Sequence, residues 1–170
     1  MNKTNKTNNI NNINNAHKIT CIEVNKIKNP ELLANIAFNN FSYLTKFPEL
    51  MHTKKDIVKT LQSDGNMCFL VYDEDNLIGY LIGDYRTLPD SRYAYYISYV
   101  FISEKYRGKG IGTKLMDLLI KKCKQTGTKF IVLTCDTLDS KIVQFYKKYG
   151  FIVDPMLGNR KRHEVFCLYL

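Results

Sequence analysis

Three glycines stand at alternate positions immediately before an amphipathic helix. The stretch SEKYRGKGIGTKLMD contains Gly108, Gly110 and Gly112. Glycine destabilises regular structure by roughly 0.5–1 kcal/mol relative to alanine, so three at a helix start indicate a backbone shape or a close approach that side chains would forbid. The preceding segment, 91–103, is apolar and aromatic, which is typical of a buried strand. A strand that turns through glycines into a helix leaves backbone N–H groups unpaired, and these favour a bound anion such as phosphate.

Hydrophobic periodicity predicts a mixed α/β fold for the rest of the chain. Strands are predicted at 17–24, 66–73, 76–86, 91–103, 129–136, 151–155 and 163–170. Helices are predicted at 30–44, 54–63, 110–127 and 139–150. Thr53 and Asp56 have the spacing of a capping box at the start of the second helix. The order β-α-α-β-β-β-α-β-α-β-β predicts a mostly antiparallel central sheet flanked by helices.

Composition predicts one folded domain after a polar tail. The first residues are mainly Asn, Lys and Thr, so we expect 1–16 to be a disordered tail and 17–170 a single domain. No stretch approaches the about 18 consecutive apolar residues that cross a bilayer, and no secretory h-region is present, so the cytoplasm is the expected location.

The five cysteines are scattered without metal-ligand spacing. We expect them to be small buried hydrophobes, and we expect no metal site.

The formal net charge of +9 predicts attraction to anionic partners. Nucleic acid, an acidic membrane surface and a phosphorylated small molecule all fit that charge. The sequence has no helix-turn-helix, zinc-finger or RNA-binding sheet motif, so a nucleic-acid-binding function ranks last.

The spacing of the glycines excludes two familiar phosphate-binding loops. A dinucleotide fingerprint requires GxGxxG, and a P-loop requires a Gly-Lys pair where this chain has Gly112-Thr113-Lys114. A third pattern, Arg/Gln-x-x-Gly-x-Gly/Ala, is met by the residues from Arg107 to Gly112. Here the chain resembles the GNAT superfamily of acetyl-CoA-dependent N-acetyltransferases. The resemblance extends from VFISEKYRGKGIGTKLMDLLI to DSKIVQFYKKYGFIV, and the order of elements agrees over 18–170.

The resemblance implies that acetyl-CoA is the co-substrate and that the glycine loop binds its pyrophosphate. The implied loop residues are Arg107, Gly108, Lys109, Gly110, Ile111, Gly112 and Thr113. It further implies that Val100, Phe101 and Ile102 pair with the pantetheine arm as an added strand, with the Val100 amide as oxyanion donor. Tyr146 matches the tyrosine that contacts the cofactor and protonates the leaving thiolate. Asp139 stands where the family often has Asn and is implied to contact the cofactor.

The implied activity is transfer of an acetyl group to a primary amine of a small molecule or a peptide by direct attack. A Glu that is common on the central strand of the family is replaced by Ser98. The general base therefore stays open between Glu104, Asp84 and a water molecule. The same replacement keeps a CoA-binding module without turnover as an alternative, and a homodimer through the final strands is also left open.

The acceptor pocket is expected in three regions, namely 38–47, 85–95 and 156–163. Four tyrosines there either form an aromatic pocket or pack in the core: Tyr43, Tyr85, Tyr93 and Tyr95. Basic residues at Arg86, Arg92 and 160–162 suggest an anionic feature of the acceptor.

Overall fold

The computed structural model describes residues 7–9, 19–44, 52–158 and 163–170. The strands are β1 (Thr7–Asn9), β2 (Ile19–Val24), β3 (Asn66–Asp73), β4 (Asn76–Thr87), β5 (Tyr93–Ile102), β6 (Phe130–Asp136), β7 (Ile152–Val153) and β8 (His163–Tyr169). The helices are α1 (Pro30–Leu44), α2 (Lys54–Leu61), α3 (Ile111–Gln125) and α4 (Ser140–Lys148), with a short 3-10 helix at Glu104–Tyr106.

The predicted mixed α/β fold and the order of elements from β2 onward are confirmed. The strand order is β1-β2-β3-β4-β5-β6-β8-β7. The pairing of β5 with β6 is parallel, whereas β1–β2, β2–β3, β3–β4, β6–β8 and β7–β8 pair antiparallel. The short strand β1 was not predicted, since it falls within the stretch assigned to a tail. Residues 1–6 and 10–18 lie outside the described part of the chain, so the disorder predicted for 1–6 and 10–16 and the strand start predicted at 17 stay predictions.

The chain divides into two compact units, and β4, β5 and α3 contribute residues to both. The first unit comprises Met1–Asp84 and Tyr99–Leu115, and the second comprises Tyr85–Ser98 and Met116–Leu170. The single domain expected for 17–170 therefore remains a prediction.

In the first unit, α1 and α2 pack on one face of the strands. Their buried side chains contact sheet residues in one apolar cluster, which includes Leu33, Ala37, Ile57, Leu61, Cys68, Leu70, Tyr80, Ile82 and Tyr99. The predicted capping box starts α2. The Asp56 N–H donates to Thr53 Oγ1 over 3.2 Å, and the Thr53 N–H donates to Asp56 Oδ2 over 2.9 Å.

In the second unit, β6 lies between β5 and β8 and is largely buried. On α3, Met116 and Leu119 are buried, but Leu118 is only half-buried. All five cysteines are buried free thiols, as predicted.

Arg92 joins the β4–β5 turn to the segment after β7. Its Nη2 donates to both carboxylate oxygens of Asp154, at 2.9 and 2.8 Å, and its Nε donates to Asp90 Oδ2 at 2.8 Å. Asp154 Oδ1 also accepts the N–H groups of Met156 and Leu157.

The hydrogen bond from Arg92 lowers the pKa of Asp90. Burial raises the pKa of Asp154, but its hydrogen bonds from Arg92 and the backbone outweigh burial, and the net shift is downward.

We predict that Asp154→Asn lowers the free energy of unfolding by about 2 kcal/mol at pH 7, because Arg92 loses the fully buried one of its two carboxylate partners and keeps only Asp90. Folding lowers the pKa values of Asp90 and Asp154. The two carboxylates therefore contribute fully to the stability of the wild type above the ordinary aspartate pKa of about 3.9, and this contribution is lost as the pH falls through the lowered values. Denaturant unfolding from pH 7 to pH 2 measures both effects, and the variant should lose less stability in acid. Asp117→Asn on the exposed face of α3 is the control, and equal stability of Asp154→Asn and Asp117→Asn would contradict the prediction.

Candidate active site

The corner between β5 and α3 has a backbone that only glycine adopts readily. Gly108 has φ +73° and Gly110 has φ +79°. Both are exposed, and a Cβ atom built on either would have no heavy atom within 4 Å. The glycines are therefore required by the left-handed turn and not by crowding within the protein. The bare backbone here is accessible from solvent.

The corner leads directly into the N-terminus of α3. The Lys114 N–H donates to the Gly110 carbonyl over 3.0 Å, which is a helical hydrogen bond of the first turn. The N–H groups of Ile111 and Gly112 come before that bond, and such groups have no acceptor within the helix. Together with the helix dipole they favour an anion at this end of α3.

Two side chains hold the corner in place. Arg107 Nε donates to the carbonyl of Ile102 at the end of β5, over 2.9 Å. Tyr106 is buried, and its hydroxyl donates to the carboxylate of Asp73. The ammonium groups of Lys105 and Lys109 lie 5.0 and 5.3 Å from the centroid of the Tyr106 ring. The two ammonium groups therefore lie at Tyr106, in a pocket that Asp73 and Glu74 also line.

The last residues of β5, Val100, Phe101 and Ile102, are half-buried. Gly79 on β4 lies against them, because a Cβ atom there would be 2.9 Å from the Phe101 carbonyl oxygen and 2.7 Å from Ile102 Cδ1. Phe101 also stacks on Tyr80, with ring centroids 5.5 Å apart. The contact at Gly79 fixes this end of β5 against β4, and the sequence analysis did not identify it.

In the second unit, α4 carries the other two predicted site residues. Asp139 is the N-cap, and its Oδ1 accepts the Ile142 N–H over 3.1 Å. Tyr146 is 8% exposed and packs edge-on against the rings of Phe145 and Phe151, with centroids 5.4 Å away in each case. Burial raises the pKa of Tyr146, and the neighbouring Cys135 raises it further. The phenol therefore keeps its proton at neutral pH.

The candidate acceptor residues have mixed outcomes. Tyr95 is fully buried and packs against Tyr85, so it belongs to the core. Tyr93 is 57% exposed and stacks on Tyr85. Arg92 is bound to Asp90 and Asp154, which corrects the suggestion that it contacts an anionic acceptor. The side chain of Tyr43 and residues 160–162 lie outside the described part of the chain.

The remaining candidates for the general base differ in environment. Asp84 is buried at the boundary of the first unit, Glu104 is exposed in the 3-10 helix, and Ser98 is half-buried on β5.

The sequence analysis does not identify one further titratable side chain near β5. His52, directly before the α2 N-cap, forms a hydrogen bond through Nδ1 with the hydroxyl of Tyr99 on β5. No local sequence signal marks this contact, because the two residues are 47 positions apart.

Comparisons with known proteins identify the family of this chain. The sequence model of the acetyltransferase (GNAT) family matches residues 33–151. The chain belongs to this family. The uncharacterized N-acetyltransferase ycf52 of Gracilaria tenuistipitata var. liui is 34% identical over 85 residues, 50% of this chain and 45% of that protein. N-alpha-acetyltransferase 30 of Schizosaccharomyces pombe is 31% identical over 83 residues, 49% of this chain and 55% of that protein.

The GNAT fold is also found in a solved structure of low sequence identity. Arabidopsis thaliana Naa50 in complex with the bisubstrate analogue CoA-Ac-MVNAL superposes with a TM-score of 0.66 at 18% identity, covering 88% of this chain and 99% of that one. This GNAT chain spans about half the length of the two curated relatives above.

Among the described residues, no helix is long and apolar enough to cross a membrane. Within the same part of the chain, no three His, Cys, Asp or Glu side chains form a metal-binding group.

We predict that Gly108→Ala and Gly110→Ala each lower the free energy of unfolding by roughly 1 kcal/mol, because L-residues are strained at these positive φ values. Lys109→Ala, between them, is the control and should change stability by less than about 0.5 kcal/mol. Denaturant titration compares the three variants. Alanine tolerated without loss at both glycine positions would contradict the left-handed corner.

Proposed function

We propose that this GNAT protein transfers an acetyl group from acetyl-CoA to a primary amine of a peptide or a small molecule. The observation that carries the proposal is the exposed glycine corner at the N-terminus of α3, with left-handed backbone at Gly108 and Gly110. Membership of the acetyltransferase (GNAT) family supports the same activity.

The residues at the corner fit the pyrophosphate of CoA. A Cβ atom at Gly108 or Gly110 would project into open space, so the absence of side chains leaves room for a ligand against the backbone. The N–H groups from Gly108 to Thr113 would hold the phosphate oxygens, with Lys109 adding positive charge. Arg107 would act by holding the corner through its bond to the Ile102 carbonyl. Acetyl-CoA itself supplies the reactive thioester.

The end of β5 would place the reacting carbonyl. Backbone groups of Val100, Phe101 and Ile102 would pair with the pantetheine arm in the manner of an added strand. The Val100 N–H would donate to the thioester oxygen as negative charge develops there, which stabilises the transition state. Gly79 supports this role, because its close contact with Phe101 and Ile102 holds the strand end in position.

Tyr146 would protonate the sulfur that leaves. A general acid must hold its proton until the thiolate forms, and a phenol holds its proton at neutral pH. Asp139 would keep its carboxylate at the start of α4, where one oxygen caps the helix and the other remains as an acceptor for the cofactor or its water. The Asn that is usual in the family would offer an amide donor that Asp139 lacks.

A peptide N-terminus is one of the two acceptor classes that fit the comparisons. One relative is named as an N-alpha-acetyltransferase, and the Naa50 structure contains an analogue that joins CoA to a peptide. The alternative function is a CoA-binding module without turnover, which is favoured by Ser98 at the position of the common Glu. Turnover with a panel of peptides and small amines, followed by release of free CoA thiol, separates the two functions.

We predict that Tyr146→Phe lowers kcat by about 10²-fold, because the leaving thiolate then lacks its acid, while the affinity for CoA stays the same. Thiol release measures kcat, and calorimetry with CoA measures the affinity. Tyr149→Phe removes a neighbouring phenol from the same segment and serves as the control. Unchanged kcat in Tyr146→Phe would remove Tyr146 from the mechanism, and wild-type protein that binds CoA without turnover would establish the alternative.

A further inference from the structure

One histidine in the first unit connects a buried phenol to solvent. Tyr99 is 5% exposed, whereas His52 is exposed, and the Tyr99 hydroxyl is hydrogen-bonded to His52 Nδ1. The two rings are perpendicular, with centroids 5.5 Å apart. Phe41 of α1 stacks on His52 at 5.8 Å and meets Tyr99 edge-on at 5.6 Å. Two other parts of the chain, α1 and β5, therefore fix the orientation of the imidazole.

Tyr99 belongs to the strand end to which the proposed function assigns the reacting carbonyl. Tyr99 directly precedes Val100, and both Tyr99 and Phe101 pack in the cluster formed with α1 and α2. The Tyr99 side chain thus lies on the helix-covered face of β5, next to the Val100 backbone. His52 stands at the start of α2, on the same face.

We propose that Tyr99 and His52 form a proton relay for the attacking amine, an inference that rests on the proposed function. As the amine nitrogen bonds to the acetyl carbon, it becomes positively charged and must lose one proton. That N–H bond breaks and its proton passes to the Tyr99 oxygen, while the Tyr99 O–H bond breaks and its proton passes to His52 Nδ1. The imidazolium then releases its Nε2 proton to water, and no oxidant or other reactant is required.

The relay supplies the base that the sequence leaves open. Imidazole is the side chain that exchanges protons most readily near neutral pH. Among the residues that the structure describes, the Tyr99 hydroxyl of β5 is hydrogen-bonded to His52, and the Asp56 carboxylate of α2 interacts electrostatically with the ring. The α1 side of the ring is covered by Phe41, which is uncharged.

The test compares wild type with His52→Gln and Tyr99→Phe over about pH 5.5 to 9 with one peptide acceptor. The readout is the ratio of wild-type to variant kcat/KM at each pH, in which ionisation of the acceptor cancels. We expect a ratio near one at the acid end, where imidazolium cannot accept a proton. Above neutral pH we expect a ratio of about 10² for each single variant. The double variant should give the same ratio, because both side chains belong to one relay. Tyr169→Phe, which removes an exposed phenol from β8, should give a ratio of one throughout.

A second readout needs neither acetyl-CoA nor turnover. Imidazole 15N NMR of the ligand-free protein should show Nδ1 of His52 as a hydrogen-bond acceptor, with a signal that moves in Tyr99→Phe and not in Tyr169→Phe.

The outcomes separate the two proposals. Ratios that are independent of pH would overturn the relay, because a structural role acts equally at every pH, and an unchanged His52 signal in Tyr99→Phe would overturn it as well. Wild-type protein that transfers no acetyl group would overturn the proposed function and the relay with it. Acetyl transfer by the wild type, with kcat/KM ratios near one at every pH, would overturn the relay and leave the proposed function standing.

Discussion

The left-handed backbone at Gly108 and Gly110 determines how the chain passes from β5 into α3. Any other residue there would be strained, since its Cβ would approach the carbonyl oxygen. A Cβ atom at either glycine would have no heavy atom within 4 Å, so the turn leaves open space directly before the first N–H groups of α3. The anion-binding character of this end of the helix follows from that one backbone conformation.

The surrounding contacts serve to hold this corner. Arg107 binds the carbonyl of Ile102, Tyr106 binds the carboxylate of Asp73, and Gly79 allows β4 to lie against the end of β5. Each contact joins the strand end or the 3-10 helix to the rest of the first unit. A ligand that binds at the corner would thus meet a backbone already fixed in position, which reduces the entropy lost on binding.

Local patterns predicted the elements, and long-range contacts decided the details that the sequence analysis missed. The capping box at Thr53 and the glycine turn were predictable because their residues lie within a few positions of one another. The bond between His52 and Tyr99 joins residues 47 positions apart, and the Arg92–Asp154 pair spans 62. Neither contact has a local pattern, because partner choice across such distances is set by how helices and strands pack. For the same reason the sequence suggests an anionic acceptor for Arg92, whereas the structure places it in an internal ion pair.

The most direct test of the account is an amide 15N–1H NMR titration of the protein with CoA. If the corner binds the pyrophosphate, the largest saturating shifts will occur at the N–H groups from Gly108 to Thr113, with smaller shifts along Val100–Ile102. Gly127, which also has a positive φ but ends α3, should not move. Binding of CoA without shifts at the corner, or no binding at millimolar CoA, would contradict the account.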